Sequence, residues 1–63
     1  MNHRQRLINS MCAMFNEQNG LKSSPAWLLE LYAGMSDKMI TEMANNWMKV
    51  QPKLYSKHGL YVM

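Results

Sequence analysis

The sequence predicts a small all-α domain, three helices followed by a short C-terminal arm or hairpin, with the second helix buried between the other two. Three observations predict it. Two long stretches carry apolar residues at the i, i+3, i+4 spacing of a helix face. Capping and turn residues fall where those stretches begin and stop. The chain has 63 residues, room for one domain, which divides into the three helices (residues 1–52) and the arm (residues 53–63).

The first stretch runs from about Asn2 to Gln18. Leu7, Ile8, Met11, Cys12, Met14 and Phe15 share one face, while Arg4, Gln5, Asn9, Ser10, Asn16 and Glu17 fall mostly on the other. Asn19-Gly20 ends it, because both residues tolerate a left-handed backbone. Ser24-Pro25 opens a second helix to Ala33, with the serine as cap and the proline in the first turn. Ala26, Trp27, Leu28, Leu29, Leu31 and Tyr32 make it apolar nearly all round, which predicts a central position. Gly34 stops it. Ser36-Asp37 caps a third helix to Val50, whose apolar face is Met39, Ile40, Met43, Ala44, Trp47 and Met48. Asp37 at its start and Lys49 near its end both suit the helix dipole, and Pro52 prevents continuation. Leu54-Tyr55 and Leu60-Tyr61-Val62 flank a turn at Ser56 to Gly59, so the tail is either a hairpin or an extended arm.

Composition narrows the function classes. Seven basic against four acidic residues, a net charge of +3, permits nucleic acid or an acidic protein surface and demands neither. The longest apolar run, Ala26 to Leu29, is far too short to cross a membrane, and no signal peptide is legible. The single cysteine excludes an intrachain disulfide and fits a reducing, cytoplasmic setting. Cys12, His3 and His58 lack metal-ligand spacing, and no glycine-rich phosphate loop is present, so no metal or cofactor is expected. Asp37 and Glu42 are the only carboxylates sharing an element, and they head in different directions. Cys12 lies in an apolar stripe, where a thiol is usually buried and inert. No catalytic residue is assigned, and the chain reads as a non-enzyme.

Two binding readings remain. Leu31 to Met43 resembles the DNA-binding helix-turn-helix pattern, with Gly34 at the turn and Ile40 and Met43 packing back on the preceding helix. Ser36, Asp37, Lys38, Thr41, Glu42 and Asn45 would be the recognition face, and the protein a transcriptional regulator. Against it, Glu30 stands where a small residue is needed, and that face has two carboxylates to one lysine.

The other reading covers more of the chain. Ile8 to Phe15 looks like the opening helix of the helicase-interacting region of phage replication proteins of the P or helicase-loader type. The similarity continues through Trp27, Leu28, Leu31, Ala33-Gly34-Met35-Ser36-Asp37, Met39 and Ile40 to Pro52. The linker between the first two helices is shorter than in that family, and the exit Gln51-Pro52-Lys53-Leu54 lacks its adjacent prolines. The resemblance implies a phage or prophage origin and a host partner in DNA replication, the replicative helicase or its loader, which this chain would regulate or inhibit.

Aromatic, methionine and arginine residues are over-represented at protein interfaces, and this chain has eight methionines and two tryptophans. The expected partner contacts are Met39, Met43, Trp47, Met48, Lys49, Lys53, Leu54 and Tyr55, with Arg4, Arg6 and Lys57 adding electrostatic steering. A homodimer burying the methionine face is a third arrangement.

Overall fold

A computed structural model describes residues 2–58. It contains four helices: α1 (His3–Gln18), α2 (Ala26–Ala33), α3 (Asp37–Val50) and α4 (Pro52–Lys57). The first three lie where the apolar spacing and caps place them, to within a residue at each end.

Each boundary has a local cause. The Asn2 side chain caps α1 by accepting from the Gln5 amide at 2.7 Å. At the other end the Leu21 amide reaches the Asn16 carbonyl at 2.8 Å and the Gly20 amide reaches that of Glu17 at 3.3 Å. This doubly bonded exit requires a left-handed residue, supplied by Gly20 at φ 67°. Ser36 caps α3 by accepting from the Met39 amide at 3.2 Å. Ser24 does not cap α2. Pro25 occupies the cap position, and the Ser24 hydroxyl donates instead to the Asn16 side chain at 3.3 Å.

The architecture corrects the expected order of burial. α1, not α2, is the central helix: it packs against α2, α3 and α4, and α3 also packs on α4. Its buried residues Leu7, Ile8, Ser10, Met11, Cys12 and Met14 span a wide arc for that reason. Ser10, expected on the polar side, is buried beneath the end of α4, where its hydroxyl donates to the His58 carbonyl at 3.5 Å. α2 contributes only Leu28 and Tyr32 to the core, and α3 contributes Ile40 and Ala44. Phe15, Met35, Met43, Trp47, Leu54 and Tyr55 pack partly buried around them.

The tail is the second correction. Residues 52–57 are helical, not strand or extended. Pro52 presets the first-turn φ of α4, and a helix lets Leu54 and Tyr55 both reach the core while its backbone stays satisfied. The second expected strand, Leu60 to Val62, lies outside the described residues.

Candidate partner-binding surface

The expected contact residues do not form one surface. Met43 and Trp47 face inward and pack on the core. The Trp47 indole lies within reach of the Tyr32 hydroxyl. Burial nonetheless raises the Tyr32 hydroxyl above its ordinary pKa of 10.0, with Cys12 adding to the rise and the indole opposing it. Trp47 is only partly buried. Met39 and Met48 are each nearly half exposed. They stand nine residues apart, which rotates them about 180° from each other around the helix. The core-facing side chains separate them.

What the fold does bring together is Met48 and Tyr55. With His3, Leu7, Thr41, Ala44 and Asn45 they line a groove of about 280 Å³ between α1 and α3, bordered by α4. Partial burial raises the Tyr55 hydroxyl pKa as well. Leu54 packs beside it on the core, and Lys49 and Lys53 are solvent-exposed. Trp47 lines a separate recess of about 190 Å³ with Gln18, Asn46, Val50 and Gln51.

Two of the expected steering cations are committed to the fold. Arg4 donates to the Asp37 carboxylate at 2.9 Å and to the carbonyls of Tyr32 and Ala33 at 3.1 and 3.4 Å. One guanidinium thus binds two C-terminal carbonyls of α2 and the first turn of α3 to α1. Lys57 and His58 both contact the Glu17 carboxylate, at 3.0 and 2.9 Å. Lys57 first and His58 second hold that carboxyl below its ordinary pKa of 4.5.

Several exposed large apolar side chains are not among the expected contacts. Trp27 is 57% exposed, Leu29 48% and Leu31 47%, all on α2, with Leu21 nearby in sequence at 43%. Trp27 makes an edge-on contact with Phe15, ring centres 5.7 Å apart. The apolar pattern of α2 predicts Trp27 inside, with the rest of that helix. The signal that could have found this surface lies in size. An eight-residue helix apolar all round needs neighbours on every side, and a chain this short cannot supply them.

The outer face of α3 is as the sequence predicts: Ser36, Asp37, Lys38, Thr41, Glu42 and Asn45 are all exposed. Among the described residues no helix is long and apolar enough to cross a membrane, and no cluster of three His, Cys, Asp or Glu side chains could hold a metal. No family model, curated protein or solved structure matches this chain.

Proposed function

We propose that this chain is a phage-like protein-binding module that regulates or inhibits a host protein, with the replicative helicase or its loader as the partner. The observation that carries a protein partner is α2: a core-grade apolar helix with Trp27, Leu29 and Leu31 each about half in water. Trp27 and Leu31, four residues apart, share one face of α2, and a small domain rarely leaves such a pair uncovered unless something binds there; tryptophan is a frequent anchor of protein interfaces. The replication partner rests on the resemblance of Leu7 to Pro52 alone. DNA is the weaker alternative. The exposed face of α3 offers Asp37 and Glu42 against Lys38, and phosphate contacts need the opposite balance.

The test is direct titration of the labelled protein with purified replicative helicase and with purified loader, read by fluorescence anisotropy. One of them is expected to bind, and Trp27→Ala to weaken that binding about tenfold or more while the helical circular dichroism signal is retained. Failure of both proteins to bind would remove them as partners. Equal binding by Trp27→Ala would move the contact surface off α2. Binding to duplex DNA that collapses between low and physiological salt would favour the helix-turn-helix alternative.

A further inference from the structure

We infer that α4 is a detachable strap, opening as a unit while α1, α2 and α3 stay folded, and that the Glu17 carboxylate is its latch. Three observations converge on it. First, the fully buried apolar core of the described residues comes from the first three helices, and α4 contributes no buried residue. Its apolar side chains, Leu54 and Tyr55, pack partly buried against that core. Of its own residues, α4 gives up only partial burial when it opens.

Second, a pivot separates α4 from α3. Gln51, at φ −129° and ψ 63°, lies outside both helices, and Pro52 has no amide to continue the hydrogen-bond ladder of α3. The short helix can swing about this residue without disturbing the α3 backbone.

Third, polar contacts hold the far end of the strap to α1. The Glu17 carboxylate contacts both Lys57 and His58, and the Ser10 hydroxyl donates to the His58 carbonyl. Glu17 and Ser10 are seven residues apart, two helical turns, so they lie on one face of α1. The end of α4 is thus fastened along a single line. Solvent-exposed ion pairs are individually weak and reversible, which suits a latch better than a core contact would. Tyr55 borders the groove that contains Leu7 and Met48, so opening the strap removes one wall of that groove and bares Ser10.

The experiment uses two thiols in one chain. In Leu54→Cys protein the introduced thiol reports release of the strap, while the native buried Cys12 reports opening of the core. Thiol labelling under native conditions is expected to modify the introduced thiol well before Cys12. Adding Glu17→Gln should speed labelling of the strap thiol roughly two- to fivefold, the range of exposed ion pairs, and leave the Cys12 rate unchanged. Because Leu54→Cys itself weakens the strap, hydrogen exchange without it provides the second reading. The Tyr55 and His58 amides, bonded to the Gln51 and Leu54 carbonyls, should exchange faster in Glu17→Gln while the Met11 and Met14 amides do not. Parallel changes at strap and core would overturn the inference, since α4 would then unfold only with the whole domain. No change at either site would remove Glu17 as the latch.

Discussion

Arg4 shows how much of this fold can rest on one side chain. It links three helices through one carboxylate and two carbonyls, and its own side chain is only 28% exposed. Charge-assisted hydrogen bonds of this kind are worth more than an isolated surface pair; without Arg4 the Ala33 carbonyl loses its partner, while the Tyr32 carbonyl keeps the Met35 amide at 3.2 Å. The substitution should cost about 1–2 kcal/mol. In a domain this small each kcal/mol lowers the melting temperature by roughly 4–8 °C. Asp37→Asn should cost less than Arg4→Ala, because the Asp37 side chain is 85% exposed and the carbonyl contacts of Arg4 survive. Thermal melts of the two variants check the order. An equal loss from both would mean that the ion pair, not the carbonyl contacts, carries the effect.

Between residues and the whole domain, the connections decide how the helices are set. Gly20 and Gly34 look alike in sequence, each closing a helix, and differ physically. Gly20 has a positive φ that side chains rarely adopt, although a Cβ there would meet nothing within 4 Å. Gly34 sits at φ −86°, ψ −3°, where any residue is comfortable, and its added Cβ would make ordinary contacts at 3.7 Å and beyond. Gly20→Ala should therefore destabilise by about 1 kcal/mol through backbone strain alone. Gly34→Ala should be neutral or slightly stabilising, because it restricts the unfolded chain without straining the folded one. Urea midpoints of the pair would separate the two cases, and a large loss at Gly34 would contradict the geometry. The same comparison bears on the helix-turn-helix reading, because a turn that does not need glycine is a general helical connection.

For the molecule as a whole, the small core sets the terms. A domain of this length rarely has more than about 3–5 kcal/mol of stability. Met11 lies fully buried on the central helix, and truncating such a side chain typically costs about 2–5 kcal/mol. Met11→Ala is expected to leave much of the population unfolded at 25 °C, seen as a flattened urea transition. Trp27→Ala removes a larger side chain but one more than half exposed, so it should cost only about 1 kcal/mol, mostly the contact with Phe15. This contrast separates loss of binding from loss of fold when the partner surface is probed. The methionines fall into both classes: Met11 and Met14 belong to the core, while Met39 and Met48 are accessible for contact.

Helix positions and stops were legible in the sequence, because they depend on residues a few places apart: Gly20 after Asn19, Pro52 after Val50, and the cap Ser36 with Met39; Ser24, the expected cap of α2, bonds to Asn16 instead. So was the division of α3 into an exposed polar face and a packed one, since period and side-chain chemistry agree along its length. The local pattern leaves open which helix sits in the middle. An all-round apolar helix signals demand for neighbours, and only tertiary packing decides whether the demand is met; here α1 takes the centre and α2 keeps Trp27, Leu29 and Leu31 in water. The same holds for the contact residues. Met39, Met43, Trp47 and Met48 share a stripe in the sequence, yet packing against α1 turns two inward and leaves the others on opposite flanks. Residues 52–57 became a helix instead of a strand because Leu54 and Tyr55 found a core to rest on and Glu17 found Lys57 and His58. Those contacts join residues about forty positions apart, and local propensity carries no information about them.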